Sequence, residues 1–232
     1  MKQFRLLKAE EIECRVSRIT DKGVVLLLYK TARTDADLLD ETVGPFAWQN
    51  DFKLVDGVLY GGIGILDTSD GIIDWTWKWD AGTESNTEAE KGRASDAFKR
   101  AGFKWGIGRE LYSAPFVFIP AGKCEIKKSD SGRLSCFDSF EVGAIDYDEQ
   151  EKICYLIITK KGVPVFEWGG PSEDFTDSVP ICGNCGRPIL DGRKRNGEKW
   201  LAKDIAAYTK QSYGKPLCSI CASEAKNAGK TS

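Results

Sequence analysis

The sequence predicts an α+β protein in which an antiparallel β-meander packs on a long helix, followed by a small four-cysteine module. Three observations carry this. Trp48 to Val55, Val58 to Leu66 and Ile72 to Trp79 are apolar and aromatic segments separated by Asp56-Gly57 and Asp67-Thr-Ser-Asp-Gly71, both turn chemistry. The stretch from Glu90 to Tyr112 then switches to helical period, with Ala94, Ala97, Phe98, Ala101 and Trp105 sharing one face at 100° per residue. Finally, two Cys-x-x-Cys pairs stand near the C-terminal end.

In chain order, Phe4, Leu6, Leu7, Ile12 and Val16 recur at near-helical spacing, so a short helix is expected within Met1 to Ile19. After the turn at Asp21-Lys-Gly23, the run Val24 to Tyr29 reads as a strand, and Ala32 to Thr42 as a second helix stopped by Gly44-Pro45. In the third meander strand Trp75, Trp77 and Trp79 lie on one face, which is expected to pack. Asp74, Thr76, Lys78 and Asp80 lie on the polar face. Thr83-Glu-Ser-Asn-Thr87 offers N-caps for the long helix, and Glu88 and Glu90 suit its positive end.

Beyond Pro115, Val117 to Ile119, Phe137 to Tyr147, Ile153 to Thr159 and Val163 to Trp168 alternate with turn-like sequences and form a further β-rich portion. Gly169 to Asp174 reads as linker sequence. The expected organisation is a core over residues 1–172, a linker over 173–180, a metal module over 181–225 and a tail over 226–232.

Composition narrows the chemistry. The chain has 232 residues, 41% of them hydrophobic, enough for one main core and a small appendage. No apolar run approaches the roughly 18 residues of a membrane span, and the first residues turn charged too soon for a signal peptide. The expectation is a cytoplasmic protein without membrane partners, in a bacterial host cell if it is phage or prophage encoded. The net charge of -2 hides an asymmetry, since Thr176 to Ser232 carries +5 and the remainder -7. Histidine is absent, which removes the usual triads and the commonest general base. No complete Gly-x-Gly-x-x-Gly or Walker-type Gly-x-x-x-x-Gly-Lys-Ser/Thr phosphate loop occurs, which disfavours ATP-driven chemistry.

Cys182-Gly-Asn-Cys185 and Cys218-Ser-Ile-Cys221 place four thiolates so that each turn bends two sulfurs toward one ion, the pattern of a structural Zn²⁺ site with one ion per chain. The 32 intervening residues cost little, because loop-closure entropy grows slowly with length. Four protein thiolates leave no position for a metal-bound water, so such a site folds the module rather than catalysing. Arg187, Arg193, Lys194, Arg195, Lys199, Trp200 and Lys203 have two readings, as phosphate and base contacts or as a solvated face.

On the long helix Arg93, Arg100 and Lys104 fall within about 40° of one another, while Lys99 projects from another side. Trp48, the meander, and then Glu90-Lys-Gly-Arg…Ser95-Asp-Ala-Phe-Lys-Arg-Ala…Trp105-Gly-Ile-Gly resemble the Rad fifty-two/Sak superfamily of single-strand annealing proteins, especially its phage branch, over about Glu10 to Trp168. The resemblance implies a β-β-β-α unit that builds an oligomeric ring, with single-stranded DNA in a positively charged groove, backbone inward and bases outward. The family's Lys-Arg pair falls on Lys99 and Arg100, which are the implied phosphate contacts. A further basic residue of eukaryotic members falls on Phe103, where the nearest cations are Lys104 and Arg109.

The resulting expectation is a non-enzymatic, ATP-independent protein that anneals complementary single strands in homologous recombination and double-strand break repair. Its DNA contacts would be Lys99, Arg100, Lys104, Arg109, Arg93 and Lys78, and an exonuclease or ssDNA-binding protein of phage or host is a candidate partner. Lys78 reads either as a phosphate contact or as an ion pair with Asp74 or Asp80. The tryptophans read either as base-stacking groups or as core. Two other classes remain open: a zinc-ribbon DNA-binding regulator or accessory protein, and a metal-dependent nuclease using Asp74, Asp80, Glu84, Glu88, Glu90 or Asp96.

Overall fold

A computed structural model describes residues 3–67, 73–83, 89–194 and 196–228 and gives a mixed α+β architecture with antiparallel sheets. A 3-10 turn at Ala9–Glu11 leads to strands β1 (Glu13–Thr20) and β2 (Gly23–Tyr29), helix α1 (Ala32–Val43), strands β3 (Trp48–Val55), β4 (Val58–Asp67) and β5 (Asp74–Ala81), and helix α2 (Ala89–Trp105). A 3-10 segment at Arg109–Ser113 precedes β6 (Val117–Pro120), β7 (Ile126–Lys128), β8 (Leu134–Cys136), β9 (Glu141–Tyr147), β10 (Ile153–Lys160) and β11 (Val163–Gly169). The rest comprises α3 (Glu173–Ser178), β12 (Gly192–Arg193), β13 (Lys199–Trp200), α4 (Ala202–Tyr213) and α5 (Ser219–Ala228). Among the described residues, no helix is long and apolar enough to cross a membrane.

The chain divides into two compact units, one from residues 1–12 and 29–113 and the other from 13–28 and 114–232. In the first, β3, β4 and β5 form a three-stranded antiparallel sheet. Asp56 and Gly57 both take positive φ, 50° and 77°, as the two-residue hairpin between β3 and β4 requires. Helix α2 lies on β4 and β5. The close approach is made by small residues, since a Cβ at Gly61 would stand 2.9 Å from Ala97. Ile63, Ile65, Ala97, Phe98, Ala101 and Trp105 are buried there, and Trp105 Nε1 donates to Ile63 O at 2.9 Å.

This packing reverses the expected use of the sheet faces. Register sets Trp77 beside Gly64 and Trp79 beside Gly62, on the face opposite to Ile63 and Ile65, so α2 covers the face that carries Thr76, Lys78 and Asp80. The tryptophans are accommodated by glycine: a Cβ at Gly62 would lie 2.6 Å from the Trp79 ring, and the Trp77 and Trp79 rings stack 5.2 Å apart. Indole size suggested core, but the two glycines leave that face shallow, and the smaller aliphatic residues of β4 meet the helix.

In the second unit β11, β10, β9, β1, β2 and β6 form a six-stranded sheet in that order. The helix expected within Met1 to Ile19 is absent beyond the 3-10 turn, because Glu13–Thr20 is extended beside β9 and β2. Pairing in the sheet overrides a weak helical period there. Strand β10 is nearly continuously buried from Tyr155 to Thr159. The sequence taken as linker carries α3, where Ser172 Oγ accepts the Phe175 N–H at 3.2 Å and Phe175 meets the Tyr155 ring edge-on at 5.9 Å.

Candidate nucleic-acid interface and metal centre

The C-terminal turn of α2 leaves carbonyls without helical partners, and cations collect on them. Arg109 donates from Nε to Phe103 O and from Nη2 to Lys104 O, each at 2.8 Å, and Lys78 Nζ donates to Lys104 O at 3.0 Å. Lys78 also sits 4.2 Å over the Trp105 ring, and burial followed by the charge of Arg109 lowers its pKa. Lys104 Nζ donates to Trp79 O at 2.6 Å. Among the described residues Asp80 is the carboxylate that joins the group, 3.6 Å from Arg100 Nε and 3.8 Å from Lys104 Nζ. Four cations thus gather at one end of a helix, two of them paired with Asp80. Arg and Lys carry more donors than these bonds use, and Arg100 and Lys104 remain about half exposed.

The other candidates lie elsewhere. Arg93 is on the stripe of Arg100 but two turns earlier, about 10 Å along the axis, where its carbonyl meets Gly82. Lys99 is on the opposite flank, beside a buried ion pair that sequence reading did not find. There Lys30 Nζ reaches both Asp35 oxygens, Oδ2 at 2.6 Å, and contacts Lys99 O at 3.5 Å. Burial pushes Asp35 up to about 6 despite the ammonium beside it, and burial likewise lowers Lys30. A Cβ at Gly102 would lie 2.7 Å from Asp35 Oδ2, so glycine lets α2 close over the pair. Lys78 makes neither of the ion pairs expected of it.

The carboxylates considered for nuclease chemistry have separate partners. Asp74 Oδ1 accepts the Trp75 N–H at 2.7 Å, Asp80 Oδ1 accepts that of Ala81 at 2.8 Å, and Asp96 Oδ2 accepts the Thr83 N–H at 3.0 Å and its hydroxyl at 2.8 Å. Glu84 and Glu88, the N-caps expected over 84–87 and the Glu90 side chain fall outside the described residues.

In the C-terminal module, Cys182, Cys185, Cys218 and Cys221 bring their sulfurs within 4.8 Å of one another and could hold a metal ion. A tetrahedral ion with metal–sulfur bonds of about 2.3 Å requires sulfur–sulfur edges of about 3.8 Å. Cys185 and Cys218 stand 3.8 Å apart. The first pair is bent by a turn in which Gly186 N donates to Cys182 O at 3.0 Å, with Gly186 at φ 71°. The second pair straddles the start of α5. Burial opposes ionisation of Cys182, but the N–H groups of Cys218, Cys185 and Asn184 aimed at its sulfur outweigh it and bring the thiol down to about 6. Asn184 Nδ2 donates to Cys221 Sγ at 3.5 Å and is held by Lys215. Behind the sulfurs lie Ile189, Ile205 and Leu217, with Thr209 Oγ1 accepting the Leu217 N–H at 2.9 Å.

The cations of this module are mostly taken up singly. Arg187 meets Glu167 at 3.8 Å, Lys194 meets Glu198 at 3.1 Å and Lys199 meets Asp191 at 2.9 Å. Arg193 donates to Gly197 O, Arg195 falls outside the described residues, and Trp200 packs edge-on against Tyr208. No family model, curated protein or solved structure matches the chain.

Proposed function

We propose that this protein binds single-stranded nucleic acid, DNA above all, and anneals complementary strands without ATP or bond-making chemistry. The observation that carries the reading is the convergence of Arg100, Lys104, Lys78 and Arg109 on the end of α2, where among the described residues Asp80 pairs with Arg100 and Lys104 while Lys78 and Arg109 rest on carbonyls. Carbonyls hold Lys78, Lys104 and Arg109 in place and Asp80 holds Arg100, and their remaining donors are available to phosphate oxygens. Two DNA strands repel at short range, and neutralising their phosphates lets the bases meet; pairing supplies the free energy. An assembly of several chains, a ring in the expected form, would present a strand as a continuous track. Of the resemblance-derived pair, Arg100 belongs to this group and Lys99 to the other flank, so Arg100 with Lys104 replaces Lys99 with Arg100 as the principal contact.

In this reading the four cysteines hold one structural Zn²⁺, which fits the sulfur spacing and leaves no open coordination position. The regulator alternative assigns recognition to that module, but Arg187, Lys194 and Lys199 already have acidic partners there. The test is annealing of complementary oligonucleotides followed by fluorescence transfer without nucleotide cofactor. The wild-type chain should accelerate annealing and Arg100→Ala with Lys104→Ala should lose most of the acceleration. Wild-type protein that leaves the spontaneous rate unchanged would refute the proposal.

A further inference from the structure

The three-stranded sheet has two edges of different character. Leu66 N donates to Ala47 O, and Gly82 N to Leu59 O, both at 2.9 Å. These bonds fix the alternation: odd-numbered residues of β3 turn their N–H and C=O toward β4, and Trp48, Asn50, Phe52 and Leu54 turn theirs outward. On β5 the odd-numbered residues point outward. That edge is closed in several places, Trp75 N by Asp74, Ala81 N by Asp80 and Trp79 O by Lys104.

Edge β3 is open. Asp51 Oδ1 accepts the Phe52 N–H at 2.8 Å, and among the described residues nothing is paired with the outward groups of Asn50 and Leu54. Phe52 is 40% exposed and Leu54 69%. A long, exposed edge with apolar side chains is a template for another strand.

We propose that β3 pairs antiparallel with β3 of a second copy of this chain, about a two-fold axis at Phe52. The register follows from charge. Asp51 and Lys53 share a face of the sheet. When Phe52 opposes the partner's Phe52, Asp51 opposes the partner's Lys53, and the symmetry repeats the pair. Both are non-hydrogen-bonded positions, where opposed side chains stand closest, while the outward groups of Phe52, Asn50 and Leu54 exchange the backbone bonds. A shift of one residue in the axis, to Asp51 or Lys53, sets like charges opposite each other. Asp51 gives up the Phe52 N–H to the partner's carbonyl and turns to the partner's Lys53, which in turn leaves the Trp79 ring it sits over at 4.0 Å. Pairing is homotypic, β3 on β3, and it is independent of any DNA-binding role.

Sedimentation equilibrium of the full chain without DNA tests this. Reversible self-association is expected, weakened about tenfold or more by Asp51→Lys and by Lys53→Asp, and restored when both reversals are combined, since opposed charges across strands attract and like charges repel. Both positions are exposed, so the variants should keep the wild-type far-ultraviolet dichroism. A chain that stays monomeric, single variants that associate like wild type, or a double variant no better than the singles would each overturn the proposal.

Discussion

Two regions of this chain are rich in lysine and arginine, and they use the charge differently. At the end of α2, Lys78 from a strand and Arg109 from the segment after the helix meet on carbonyls, while Arg100 and Lys104 of the helix itself share Asp80. In the four-cysteine module, Arg187, Lys194 and Lys199 are each matched with a separate carboxylate, and Arg193 and Lys215 with a carbonyl and an amide oxygen. The module has the greater net positive charge by sequence, yet its ion pairs are scattered, whereas at the end of α2 four cations lie within reach of the same few carbonyls and Asp80. Net charge over a segment thus says less about phosphate binding than how the cations are grouped.

The regions also differ in what holds them, and perturbation should separate them. The largest effect is expected from the module, where four thiols, from the buried Cys182 and Cys221 to the exposed Cys185, could hold a metal ion and only a few apolar side chains lie behind them. Metal binding in such modules is worth on the order of 10 kcal/mol of folding free energy. Chelation, or Cys182→Ser, should therefore make residues 181–228 sensitive to protease while 29–113 stays resistant. Equal sensitivity of both would break the comparison.

The sheet–helix unit depends on burial, and its most sensitive point is the Lys30–Asp35 pair. Asp35→Ala should destabilise it by about 3–5 kcal/mol in urea unfolding, because an ammonium is left buried without a partner. Gly61→Val should cost about 1–3 kcal/mol in the same measurement by forcing the helix from the sheet at Ala97.

The smallest effect belongs to the surface network in which Arg5 bonds Glu11 at 2.7 Å and Glu41 at 2.8 Å. The bond to Arg5 lowers the pKa of Glu11 from 4.5, so its stabilisation is present above that value and lost as pH falls through the lowered folded value. The melting temperature of wild type should fall more steeply with acid than that of Arg5→Ala.

Much of this was legible in the sequence, for reasons particular residues make clear. Asp56-Gly57 fixed a hairpin because few pairs accept positive φ twice, and Cys-x-x-Cys announced four converging thiols by spacing alone. The tryptophan face was misread because alternation gives two faces without saying which the helix takes. Gly61, Gly62 and Gly64 decide that, two by making room for indoles and one by admitting Ala97. The Lys30–Asp35 pair and the gathering of Lys78 with Arg109 were not legible, since each depends on how a helix end meets strands distant in sequence.

The central claim is that the end of α2 contacts phosphates. Its most direct test is the salt dependence of oligo-dT affinity for wild type, Arg100→Ala with Lys104→Ala, and Lys194→Ala with Lys199→Ala. Each phosphate contact contributes about 0.7 to the slope of log affinity against log salt on a single strand. The account predicts a slope shallower by about 1.4 for the α2 variant and no change for the module variant. An unchanged slope in the α2 variant, with a reduced one in the module variant, would contradict it.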